Sequence, residues 1–110
     1  MTRFEPYSCL ADIILELEIA LRQNQLWETE PPSSHALQSQ QPFCFDTLRF
    51  SQWLQFVFIA RLKSMIEGCE PLPQRSAIVA IAEENFRGVH YDASRIIRCL
   101  ADFDALIEGT

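Results

Sequence analysis

Residues 41–68 read QPFCFDTLRFSQWLQFVFIARLKSMIEG, and this stretch decides the fold. From Trp53 to Ile66, ten positions carry Trp, Leu, Phe, Val, Ile, Met or Ala. At about 100° per residue these side chains cover nearly the whole circumference of the first two helical turns. A helix apolar on every side has to be surrounded by other elements, so the spacing predicts a central helix with partners packed around it. Ser51 is placed to cap this helix by accepting from exposed backbone N–H groups, and Asp46 or Thr47 can cap a short turn just before it. Gly68 suits its C-terminal stop, and Pro71 and Pro73 prevent continuation. Pro42 biases Gln41 toward extended backbone on the way in.

Upstream, from about Ser8 to Trp27, Leu10, Ile13, Ile14, Leu17, Ala20 and Leu21 recur at steps of three and four. Asp12, Glu16, Arg22 and Gln23 fall off that line, which is the pattern of an amphipathic helix. Pro6 fits an early helical position, where its missing N–H costs nothing. Leu15, Ile19 and Leu26 make a second, narrower stripe on the other side. Either the following loop folds back over it, or it is a face for a protein partner or a second copy of the chain. Glu28 to Gln41 has no apolar period, holds Pro31 and Pro32, and is a long loop for so small a domain. His35 stands alone within it.

Downstream, a shorter helix is expected from about Gln74 to Phe86, stopping near Gly88. A fourth runs from an Asp92 cap to about Glu108, with Ala93, Ile96, Ile97, Leu100, Phe103 and Ile107 as its core stripe. Nothing reads as a strand pair. The expected fold is all-α: one four-helix, bundle-like antiparallel domain over residues 1–110, with a long loop between helices 1 and 2.

The 110 residues suffice for one core, and 48% hydrophobic with 22% charged residues fits a globular chain. A net charge of −6 argues against direct nucleic-acid binding, which needs clustered Lys and Arg. Arg87, Arg95 and Arg98 are at most a small local patch, and a solvated face is the ordinary reading of such a trio. The opening Met1 to Pro6 does not read as a signal peptide, and Asp12, Glu16 and Glu18 interrupt the apolar run after it, so no membrane span is expected. Cys9, Cys44, Cys69 and Cys99 lie far apart with no C-x-x-C pair. No metal or other cofactor is therefore expected, and the reading is a cytoplasmic protein with four reduced thiols.

Gln41-Pro42-Phe43, Asp46-Thr47, Gln52-Trp53-Leu54-Gln55, Arg61-Leu62, Leu72-Pro73 and Phe103-Asp104, with Trp27 before them, together resemble the YqcC-like family over essentially the whole chain. The resemblance implies a small all-helical bacterial protein without an assigned reaction. It also implies a link to tRNA modification, because family genes often lie beside one for a tRNA pseudouridine synthase and some members carry that name. The family usually has Pro where this chain has Ala60, so a straighter central helix is expected here.

Asp46 is the one superficial match to a synthase's catalytic aspartate, and pseudouridine synthase-related activity is the remote reading; a helix-capping role is the ordinary one. No nucleophile–base set, glycine-rich phosphate loop or metal motif is present, which points away from an enzyme. The leading expectation is a non-enzymatic adaptor that uses the Leu15, Ile19 and Leu26 stripe. The alternative is a small-molecule-binding module. In it, Phe43, Phe45, Trp27, Trp53 and Phe56 converge beneath the loop, with Gln41, Thr47 and Gln52 at the rim; the ordinary reading leaves these aromatics in the core. Two buried polar groups are expected besides. Asp104 lies on the apolar stripe of the fourth helix and needs a counter-charge or several donors. Arg61 is the candidate, an indole N–H from Trp27 or Trp53 the alternative, and a watered helix end the third possibility. Gln55 lies on the line of Ile59, Leu62 and Ile66 and is expected to bond main-chain groups of residues 43–47, unless it lines the pocket and reads a ligand.

Overall fold

A computed structural model describes residues 5–109. Of the opening Met1 to Pro6, read above as no signal peptide, Met1 to Phe4 lie outside the described residues. Four main helices follow in order: α1 (Glu5–Gln23), a central α2 (residues 50–68), α3 (Ile78–Asn85) and α4 (Ser94–Glu108). A one-turn helix, Ser34–Leu37, and a 3-10 turn, Pro42–Cys44, lie in the loop between α1 and α2. No strand occurs among the described residues. The all-helical reading holds.

Helices α1 and α4 pack most extensively on each other; α3 packs on α4, and α2 on α1. Leu10, Leu17, Leu21, Ile96, Leu100 and Ile107 are fully or almost fully buried where they meet, which is the stripe expected from their spacing. The central helix is not enclosed on every side. Leu54, Phe58, Ile59 and Leu62 are buried, but Phe56 and Val57 are half-buried and Ala60 is exposed. With α1 and α4 as the tightest pair, α2 keeps one open flank.

Helix ends depart from expectation for a shared reason. Helix α1 stops four residues before Trp27 because Gln25 turns left-handed (φ 59°). The Leu26 N–H then reaches the Leu21 carbonyl (2.9 Å) and the Gln25 N–H that of Arg22 (3.0 Å), a Schellman closure normally built on glycine. The same closure ends α2 at Cys69 (φ 49°), one residue after Gly68. At its other end α2 begins at Phe50, so Ser51 is a buried helical residue rather than a cap. The Gln52 side chain instead accepts from the Arg49 N–H (2.8 Å). Helix α3 begins four residues later than expected, at Ile78. Helix α4 starts one residue later than read, with Ala93 at the N-cap position; Asp92 just before it accepts from the Ser94 N–H (3.0 Å), a bond that holds its carboxyl below the usual range.

The central helix is not wound as a regular α-helix throughout. Its first turn, Phe50–Trp53, and its last part, Ala60–Gly68, are α-helical, but Leu54–Ile59 is wound as a π-helix. There i→i+5 bonds replace i→i+4 and residues five apart line up. Trp53 consequently stacks on Phe58, ring centroids 5.5 Å apart. Ala60 follows this segment, has φ −59° and donates its N–H to Val57, three residues back. A proline at 60 forfeits no i→i−4 bond and finds its preferred φ. Ala60→Pro is therefore expected to cost under about 1 kcal/mol, against about 3 kcal/mol for Lys63→Pro in the regular part of α2. Urea unfolding of the two variants checks this; equal losses refute it.

Candidate functional site

One cavity of about 430 Å³ opens beside α2. Trp53, Phe58, Leu62 and Met65 form its wall on the central helix, Ile78 and Ile81 the wall on α3, and Phe103 that on α4. Phe43, from the loop, closes one end. Its ring packs edge-on to Trp53 (4.8 Å) and to Phe50 (6.0 Å), while Phe58 meets Phe103 at 5.0 Å. The π-winding that aligns Trp53 with Phe58 thus builds a continuous aromatic wall. Phe43 and Cys44 hold consecutive left-handed conformations (φ 57° and 51°), a geometry that costs about 1–3 kcal/mol per residue away from glycine. Surrounding bonds enforce it. The Thr47 hydroxyl donates to the Ala36 carbonyl (2.7 Å), and the Leu48 N–H closes on Cys44 (2.8 Å).

Arg61, Arg75 and Ser76 supply the polar part of the lining. Of the other described arginines, 22, 49, 87 and 95 each pair with a glutamate and Arg98 does not. Among the described residues neither Arg61 nor Arg75 has a carboxylate partner. The expected Arg61–Asp104 ion pair does not form. Asp104 reaches the start of α3 instead: it accepts from the Ser76 hydroxyl, the Ile78 N–H (3.1 Å) and the Val79 N–H (2.9 Å). These three donors satisfy the half-buried carboxylate, and two of them are N–H groups that a helix start leaves orphaned.

The residues expected at a pocket separate into two groups. Phe43 and Trp53 line the cavity; Gln41, Asp46, Thr47, Gln52 and Gln55 do not. Gln55 is buried, but its partner is not the 43–47 segment. Its Oε1 accepts from the Glu28 N–H (2.9 Å) and its Nε2 donates to the Glu28 carbonyl (2.8 Å). Its amide therefore faces the start of the loop, 27 positions upstream. The Glu28 carboxylate accepts from Arg49 (3.0 Å) and from Gln52 (3.4 Å). Gln52 and Gln55 are therefore loop fasteners. Asp46 is neither a cap nor part of the cavity: it accepts from the Ser39 hydroxyl at the surface. Of the other aromatics, Phe45 is 68% exposed and Trp27 lies under the Arg22 guanidinium (4.8 Å).

The second stripe of α1 is not a continuous face either. Leu15 is exposed, Ile19 half-buried, and Leu26, beyond the helix end, packs on the core. The arginine trio is dispersed: Arg87 pairs with Glu84, while Arg95 reaches Glu16 and Gln23 (2.8 Å each). No group of three or more His, Cys, Asp or Glu able to hold a metal occurs among the described residues, and no helix there is long and apolar enough to cross a membrane. The four cysteines are unpaired, Cys9 and Cys69 exposed, Cys44 and Cys99 buried. Burial pushes the Cys99 thiol up to about 11, helped by Glu16 and Asp102. Dithionitrobenzoate at pH 8 should accordingly show Cys9 and Cys69 reacting fast, Cys44 and Cys99 only as fast as the fold opens. Mass mapping of the labelled chain checks the order, and early labelling of Cys99 contradicts it.

A family model, DUF446, described as tRNA pseudouridine synthase C, matches residues 9–106. An Escherichia coli protein named "Uncharacterized protein YqcC" is 34% identical over 90 residues, which are 82% of this chain and 83% of that one. The chain belongs to the YqcC-like family. A Haemophilus influenzae relative, named "Uncharacterized protein", is 41% identical over 69 residues, 63% of this chain and 65% of its own length. The solution NMR structure of YqcC from E. coli has a TM-score of 0.74 and 30% identity, covering 90% of this chain and 87% of that one. A Pectobacterium carotovorum protein named tRNA pseudouridine synthase C is 31% identical over 75 residues, 68% of this chain but only 20% of that longer protein. The YqcC-like segment is thus found both in short chains and within a much longer one.

Proposed function

We propose that this YqcC-like protein is a non-enzymatic binding module whose working site is the cavity between α2, α3 and α4. The observation that carries this is the composition of the lining: a wall of aromatic and aliphatic side chains with two arginines lacking carboxylate partners. Mostly apolar cavities of this size with few polar groups are how small-ligand sites are built. The groups that chemistry would require are engaged elsewhere. Asp46 is held by Ser39 at the surface, Asp104 caps α3, and Cys99 is buried with its thiol held protonated at neutral pH. Native mass spectrometry of the cytoplasmic protein purified from its own host tests the proposal. A retained small molecule that is lost from an Ile81→Trp variant supports it; a protein without bound mass that also binds no apolar probe at the cavity overturns it.

A second reading, an adaptor for a pseudouridine synthase, has one specific support: the related segment that makes up 20% of the Pectobacterium protein carrying that name. Under this reading the short chain supplies separately what the longer protein holds within itself. Titration calorimetry of the purified protein against a purified pseudouridine synthase of the same organism tests it. Absence of heat and of a co-migrating complex counts against the adaptor reading alone.

A further inference from the structure

We infer that the cavity takes a small amphipathic anion, an apolar body carrying one carboxylate-like or phosphate-like head held by Arg61 and Arg75. This rests on the binding-module reading and adds the chemical class of the ligand.

The argument starts from charge. In a chain of net charge −6, the arginines at 22, 49, 87 and 95 pair with carboxylates, while among the described residues Arg61, Lys63, Arg75 and Arg98 do not; of these four, Arg61 and Arg75 share one cavity. The two arginines on this cavity are left without such a partner although a carboxylate is close by: Asp104 bonds Ser76 and Ile78, which both line the same cavity. Both oxygens of Asp104 are taken, by the Ser76 hydroxyl and the two N–H groups that open α3. Glu108 shares a neighbouring depression with Arg75 but makes no ion pair with it. Asp104 is thus engaged at the start of α3, and neither guanidinium fork is paired with a carboxylate.

The remaining lining decides what else the ligand must be. Ser76 already donates to Asp104, and no buried side-chain polar atom among the described residues lacks a partner. Beyond the two guanidinium groups and the Trp53 indole N–H, the side-chain surface offered is apolar: the rings of Trp53, Phe58 and Phe103 with Met65 and Ile81. A sugar or a nucleoside would leave its own hydroxyls and ring nitrogens unpaired against such a wall, at a cost for each. An apolar body with a single anionic head loses nothing there and gains a planar fork geometry suited to carboxylate and phosphate oxygens.

The test compares two fluorescent probes of the same shape, anilinonaphthalene sulfonate and the uncharged N-phenylnaphthylamine, on the folded wild-type chain and an Arg61→Gln/Arg75→Gln variant. Both substituted residues are exposed, so the fold is expected to survive, and thermal melting confirms it. The sulfonate should bind one per chain, about tenfold more tightly than the neutral probe. NMR shift changes should centre on Met65, Ile81 and Phe103. The double variant should erase the preference by weakening the sulfonate alone. Equal affinity for the two probes, or a sulfonate affinity unchanged in the double variant, overturns the anion inference while leaving the cavity reading standing. Failure of both probes to perturb those residues overturns the two together.

Discussion

Asp104→Ala should lower the stability of the folded chain by about 2–4 kcal/mol, a drop in Tm of 10 °C or more for a domain near this size. Asp104 is half-buried, and its carboxylate gathers the Ser76 hydroxyl and the N–H groups of Ile78 and Val79. Helix α3 has no cap of its own: the residue before it, Ala77, has no side-chain oxygen. Alanine at 104 leaves these donors orphaned at a partly buried helix start, where a charged acceptor is worth more than a neutral one. Asp104→Asn keeps one acceptor oxygen and should recover about half of the loss. Hydrogen exchange at Ile78 and Val79 is the local readout. Exchange there as slow as in the wild type, with Tm unchanged, would show that the cross-helix cap does not hold α3. Because Ile78 lines the cavity, the Ala variant should also loosen that wall.

Gln55→Leu is expected to cost a similar amount, about 2–4 kcal/mol, by a different route. The amide makes both bonds to one residue, taking the Glu28 N–H and giving to the Glu28 carbonyl, while Arg49 and Gln52 hold the carboxylate of that same residue. Leucine is nearly the same size, so packing survives and the loss is that of two main-chain groups left without partners. The expected signature is rapid exchange around Glu28 with little change in residues 41–47, which have their own ties through Thr47 and Cys44. If 41–47 open first, or if neither segment changes, the fastening assigned to Gln55 is wrong.

These two residues also show where a sequence stops being legible. Both were recognisable as polar groups in apolar settings, since alternation at three and four residues marks a buried line wherever it runs. Neither partner was recognisable. Asp104 bonds a segment 25 to 28 positions away whose own sequence gives no hint that it lacks a cap. Gln55 was assigned the neighbouring segment as the nearest irregular backbone in sequence, and its partner lies 27 positions upstream instead. Helices α1 and α4 were legible because their burial is one-sided. Their exact ends were less so, since Gln25 and Cys69 perform a turn that glycine usually announces. Half of the cavity escaped notice for a further reason. Arg75, Ile78 and Ile81 come from a segment read as an ordinary short helix, and only the tertiary fold brings them opposite Phe43 and Trp53.

The π-winding of the central helix has a consequence for how this chain can vary in length. It divides one rod into two gears set out of phase: an upstream gear whose teeth, Gln52 and Gln55, engage Glu28, and a downstream gear whose teeth, Leu62 and Met65, shape the cavity. Removing any one residue from 56–59 would restore ordinary winding and turn one gear against the other by about 100°. Gln52 and Gln55 could then reach the loop only if Leu62 and Met65 left the cavity. Between 56 and 59 the number of residues is thus as tightly held as their identity, and insertions or deletions belong in the loops on either side.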